Sequence, residues 1–205
     1  IGMSRGIEKL NVRDKKAEQE AAFQAWAEKN TLPEERYMDA LELIRQSQTE
    51  AKAENAAMQY LSEAFLQSVE LIQTMLGVRD YEQFYKDYDA GADRAVAKRM
   101  FQIYRENNTL LPSIYSKIDA EFGGDSDKYV DWLYDNSKLT NYEEYLAVAN
   151  LSAEERKAAF ESDPVYELTT SIIGLYQQLY PAVAASQEKF AEGHRLYIDG
   201  LMKMQ

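Results

Sequence analysis

Apolar positions recur along this chain at steps of three and four, the spacing that gathers side chains on one face of a 3.6-residue helix. The clearest run is Met58, Leu61, Phe65, Val69, Ile72 and Leu76, which predicts a buried stripe on the second half of a helical stretch over 32–76. That stretch has a weak point near residues 48–50. Val165, Leu168, Ile172, Leu175 and Leu179 make a second regular face. A segment rich in Ala, Glu, Lys and Gln over 4–29 predicts a first helix, with Leu10, Phe23 and Trp26 as its packing residues. Nothing alternates over enough residues to predict a sheet, and no period repeats well enough for a solenoid.

Polar residues between these faces mark helix starts. Thr31 and Glu34 bracket Pro33 at capping-box spacing, which Thr140/Glu143 and Ser152/Glu155 repeat. Asp163 and Pro164 read as N-cap and first helical residue. "GGDSDKYVDWLYDN" (123–136) reads as a turn feeding a short helix, with Tyr129, Trp132 and Leu133 facing inward. Gly77 closes the long-helix part, and Pro181 is expected to interrupt the last apolar face, leaving a final helix from 182 to the terminus. The pattern predicts an all-α fold, a bundle of long helices packed with several shorter ones. It forms a single helical domain over 1–205, divisible into a long-helix part at 1–76 and, at 77–205, shorter helices followed by long C-terminal ones. The chain begins Ile-Gly-Met and ends within a helical pattern, so it reads as an excised segment.

With 45% hydrophobic and 12% aromatic residues, the 205-residue chain has the composition of a globular domain. Its formal charge of −12, from 35 acidic and 23 basic residues, argues against nucleic acid and against an acidic membrane surface as partners. The apolar runs are too short and too interrupted to span a bilayer. Absence of cysteine removes thiol catalysis, disulfides and cysteine-ligated metals.

Few residues carry chemistry. Asp87, Asp89 and Asp93 surround a glycine-bearing turn, but as a calcium loop counted from Asp87 the stretch has Gly91, Ala92 and Lys98 at positions 5, 6 and 12, where a ligand, glycine and glutamate belong. Asp93 instead reads as an N-cap or first-turn acid ahead of an inward face of Val96, Met100, Ile103 and Tyr104. "GDSDKY" (124–129) reads the same way. His194, the sole histidine, lies in register with Phe190, Tyr197 and Leu201 and reads as a packed or interface residue; nearby Glu192 and Asp199 read as solvated helix charges. No serine has a nucleophile-elbow setting, and phosphate-loop, dinucleotide and H-E-x-x-H motifs are missing. No catalytic, cofactor-binding or metal-ligating residue is therefore assigned, and no cofactor is expected. Nine of the 15 tyrosines fall between Tyr81 and Tyr145. Such crowding suits either a surface that meets another domain or ordinary packing of small helices.

"SIYSKIDAEFGGDSDKYVDWLYDNS" (113–137), "DYDAGADRAVAKRMFQIY" (87–104), "SDPVYELTTSII" (162–173) and the opening "IGMSRGIEKLNVRDKKAEQEAAFQAW" (1–26) together resemble the helical domain of the S46 family of bacterial serine dipeptidyl peptidases. The resemblance implies an insert between parts of a chymotrypsin-like double β-barrel, covering the cleft of an exported enzyme that removes dipeptides from free peptide N-termini. It implies that the catalytic histidine and aspartate precede this segment and the nucleophilic serine follows it, so His194 is not the triad histidine. The implied partners are the catalytic β-barrel domain of the same polypeptide and the parent's peptide substrate, with a homodimer of the parent left open. The implied location is periplasmic or cell-surface. The alternative is a stand-alone helical domain that binds a protein or peptide. A di-metal carboxylate bundle would need E-x-x-H pairs that a chain with one histidine lacks.

Overall fold

Helix formers dominate, and several of the breaks among the described residues fall where a side chain or a backbone angle forces them. The computed structural model describes residues 2–77, 81–106 and 111–205, with side chains from residue 9 onward except that of Tyr81. Helix α1 spans Gly2–Asn30. At its end Thr31 donates its hydroxyl back to the Ala27 carbonyl at 2.6 Å. The capping acid is Glu35, not Glu34: its carboxylate accepts from the Leu32 N–H at 2.8 Å and opens a 3-10 turn at Pro33–Glu35. A second such turn, Tyr37–Asp39, leads into α2 (Ala40–Thr49). The break expected near 48–50 lies at Glu50 and Ala51, where Ala51 adopts a left-handed φ of 55° before α3 (Lys52–Met75).

Shorter helices follow: α4 (Tyr81–Tyr85), α5 (Ala90–Glu106), α6 (Pro112–Glu121), α7 (Ser126–Asn136), α8 (Tyr142–Ala149) and α9 (Ala153–Glu161). The last, α10, runs unbroken over Pro164–Met204. The expected interruption at Pro181 does not occur. Pro181 and Gln177, whose carbonyl loses its helical partner, are both exposed, so water can replace the missing bond. Among the described residues the fold is all-α with no strand.

The chain divides into two compact units, residues 1–55 with 181–205 and residues 56–180. The first is centred on buried Phe23, Ala27, Tyr37, Ala40 and Leu196, with Trp26, Tyr197 and Leu201 packed around them. Phe23 meets Tyr197 edge-on at 4.7 Å between centroids, and Trp26 meets Tyr37 likewise at 5.7 Å. Two glycines of α10 permit this approach. A Cβ on Gly193 would stand 2.7 Å from the Ala40 carbonyl oxygen, and one on Gly200 would collide with the Phe23 ring. Leu10, expected to pack, is 54% exposed on the solvent side of α1.

In the second unit, α3 buries Ala57, Met58, Leu61, Ala64, Ser68 and Met75, while Phe65, Val69 and Ile72 are half-buried and Leu76 is exposed. Caps hold the short helices in place. Ser152 and Glu155 form the predicted capping box, and Asp163 caps α10 through the Val165 N–H at 2.9 Å. Asp163 also accepts from the Lys138 N–H at 2.8 Å, tying the 3-10 turn Lys138–Thr140 that follows α7 to the start of α10. The cap of α8 is Asn141 and not Thr140, whose hydroxyl turns back to the Tyr134 and Ser137 carbonyls.

Candidate functional site: a tyrosine-lined cleft

The aspartates of the 87–93 turn take separate roles. Asp89 accepts from the Ala92 N–H at 2.9 Å and caps α5, while Asp93 sits in the first turn. The α5 face that packs inward carries half-buried Ala97, Met100 and Tyr104 and buried Phe101. Val96, expected there, is 57% exposed, one position off the buried stripe. Among the described residues no group of acids, histidine or cysteine is arranged to hold a metal ion.

Asp93 accepts hydrogen bonds from the hydroxyl of Tyr134 on α7 and, at 3.5 Å, from that of Tyr88. Burial first, and then the Asp93 charge, push both phenols above their ordinary range, so both remain donors. Nearby cations are engaged elsewhere. Arg94 reaches Asp131 at 3.4 Å and Asp135 at 2.5 Å, and Lys98 reaches Asp131 at 2.7 Å.

Behind Asp93 lies a cavity of about 150 Å³ walled by apolar side chains of α3, α5, α7 and α10, among them Met100, Leu133, Leu168 and Ile172. Phe84, Tyr88 and Asp93 line both this cavity and an adjoining open groove of about 420 Å³, and so form its mouth. A second groove, of about 610 Å³, runs past Tyr85, Lys86, Tyr142 and Glu143 and shares Tyr88 and Thr140 with the cavity.

Other tyrosines of this unit hold the walls. The hydroxyls of Tyr85, Tyr115 and Tyr145 donate to the carbonyls of Leu139, Phe101 and Thr74 at 2.5, 2.8 and 2.7 Å. Tyr129, packed edge-on to Phe101 and Phe122, has a buried hydroxyl with no partner among the described residues. The sequence signalled this region only as a crowd of tyrosines. The Asp93–Tyr134 pair joins residues 41 positions apart, which no local pattern reveals. Tyr81 belongs to the same crowd, but its side chain lies outside the described residues.

His194 is exposed on α10 and stacks on Phe190 at 5.6 Å between ring centroids; no serine or carboxylate is hydrogen-bonded to it among the described residues. Tyr197 and Leu201, predicted to share its face, are half-buried. Glu192 and Asp199 are more engaged than solvated charges would be. Glu192 pairs with Arg195 at 2.9 Å and Arg36 at 3.3 Å, and Asp199 accepts from the Tyr37 hydroxyl.

The geometry defines an all-helical module, with a cleft sized for side chains and no nucleophile–base pair in evidence among the described residues. The chain belongs to the peptidase S46 family, whose model matches residues 1–83 and 74–205. It is similar to dipeptidyl-peptidase 7 of Porphyromonas gingivalis, 30% identical over 222 aligned positions covering 100% of this chain and 31% of that protein. Similar too are dipeptidyl-peptidase 7 of Porphyromonas endodontalis, 26% identical over 94% of this chain and 25% of the relative, and that of Phocaeicola vulgatus, 34% over 58% and 16%. The chain thus spans a third or less of the length of these curated relatives. No described helix is long and apolar enough to cross a membrane.

Proposed function

We propose that this chain is a helical insert domain of an exported serine dipeptidyl peptidase, covering the cleft where dipeptides are removed from free peptide amino termini. The observation that carries the reading is the family match over the whole chain, set beside relatives three or more times longer that are named dipeptidyl peptidases. Acyl transfer needs a nucleophile, a base and an oxyanion hole in register. In this reading those groups belong to a catalytic β-barrel domain of the same polypeptide. The helical domain closes over the bound peptide, excludes water and bulk peptide, and lines part of the cleft. The parent acts in the periplasm or at the cell surface.

The test compares three proteins: the full-length parent, the 205-residue chain alone, and the parent with this segment replaced by a short linker. The parent is expected to release dipeptides from a free-N-terminus peptide and to be silenced by a serine-directed inhibitor. The isolated chain is expected to be inactive, and the linker variant to lose most of its kcat/KM. Dipeptide release by the isolated chain, or an inactive parent, overturns the reading. So does a linker variant with unchanged kinetics.

A further inference from the structure

We propose that the cavity of the 56–180 unit is a binding site for a primary amine carried on an apolar group about the size of one benzene ring. The volume sets the size: a cavity of about 150 Å³ walled by Leu, Ile and Phe stays dry and takes up benzene-sized guests. Here the walls are mostly apolar, with Met100 from α5, Leu133 from α7, and Leu168 and Ile172 from α10 converging on it.

The mouth sets the charge. Two tyrosine hydroxyls fix the Asp93 carboxylate in place, yet an ionised carboxylate offers about four lone-pair sites, so acceptor capacity remains. Among the described residues no cation is hydrogen-bonded to it: Arg94, which also lies over the Tyr134 ring at 5.4 Å, pairs with Asp131 and Asp135, and Lys98 pairs with Asp131. An ammonium at this point would gain a charge-assisted hydrogen bond beside the Phe84 and Tyr88 rings, which stack on each other at 5.7 Å. An anion of the same size would meet the carboxylate head-on. The proposal does not depend on the reading of the chain as a covering domain, since every group it uses lies within this unit.

The test is a methyl-resolved NMR titration of the 205-residue chain with phenethylamine. The methyl signals of Met100, Leu133, Leu168 and Ile172 are expected to move together and saturate. Hydrocinnamate, equal in size and opposite in charge, should bind at least about tenfold more weakly, the effect of one charge-assisted bond. Asp93→Asn keeps an acceptor for the Tyr134 hydroxyl, so the fold survives, and should weaken phenethylamine by about the same tenfold. Ala97→Leu, which fills the cavity from α5, should abolish the shifts. Phenylalanyl-glycine amide and its N-acetyl form separate the sources of such an amine: a dipeptide that outbinds phenethylamine points to a peptide amino terminus, and the reverse points to a free amine. Unmoved cavity methyls overturn the proposal, as do equal binding of hydrocinnamate or of the acetylated peptide, or an Asp93→Asn variant that binds as the parent does.

Discussion

The two units close their interiors by different means. In residues 1–55 with 181–205, helices approach until only glycine fits between them, at Gly193 against Ala40 and at Gly200 against Phe23. In residues 56–180, four tyrosines bridge separate segments: the hydroxyls of Tyr85, Tyr115 and Tyr145 end on the carbonyls of Leu139, Phe101 and Thr74, and that of Tyr134 ends on Asp93. The first arrangement leaves no space at the contact. The second spaces its segments with rings, and its cavity is lined by Tyr88, Tyr104 and Tyr134.

That contrast is most exposed to alkali. Burial raises the phenols of Tyr85, Tyr88, Tyr129 and Tyr134 well above the ordinary value of 10.0. The sign follows from proton linkage. Between about pH 10 and the raised folded values, the unfolded chain releases protons that the folded chain retains. The stabilisation is thus fully present below about pH 10 and lost as pH rises above it. We expect the unit to unfold in alkali as one step in which tyrosinate absorbance rises together with loss of helical circular dichroism, with Tyr85→Phe moving the midpoint upward. Gradual ionisation with helicity intact would break the comparison.

The glycine contact gives the next largest effect. Gly193→Val places a branched side chain where even a Cβ would lie 2.7 Å from a backbone oxygen, and backbone cannot swing aside as a flexible side chain can. Overpacking of this kind costs about 1–3 kcal/mol or more. Urea unfolding should show the loss, and an unchanged midpoint would mean that α10 and the Ala40 region do not meet as described.

Helix content and several caps were legible in the sequence because they depend on neighbours within four residues. Ser152/Glu155 and Asp163/Pro164 stand where spacing put them. The near misses share a cause: where several polar residues adjoin, tertiary fit chooses among them. Asn141 takes the cap expected of Thr140, and Glu35 the reciprocal bond expected of Glu34. Pro181 misled for the opposite reason, since its local penalty of about 3 kcal/mol is offset by burial of Ile172 and Val183 on either side, each within its own unit. The cleft was the least legible part. Its Asp93–Tyr134 bond and its walls are long-range facts, and the sequence pointed to them only through the density of tyrosine.

Gly174 supplies the smallest and most discriminating effect. It lies in α10 within the tyrosine-propped unit, is exposed, and a Cβ added there would meet nothing within 4 Å. If helix packing by glycine is confined to the other unit, Gly174 serves no contact and only weakens the helix through backbone entropy. Gly174→Ala should then stabilise the protein by about 0.5–1 kcal/mol, read as a higher urea midpoint with unchanged slope. The same substitution at Gly193 should destabilise. Matching signs at the two positions would show that the distinction between a closed interior and a propped one does not govern this helix.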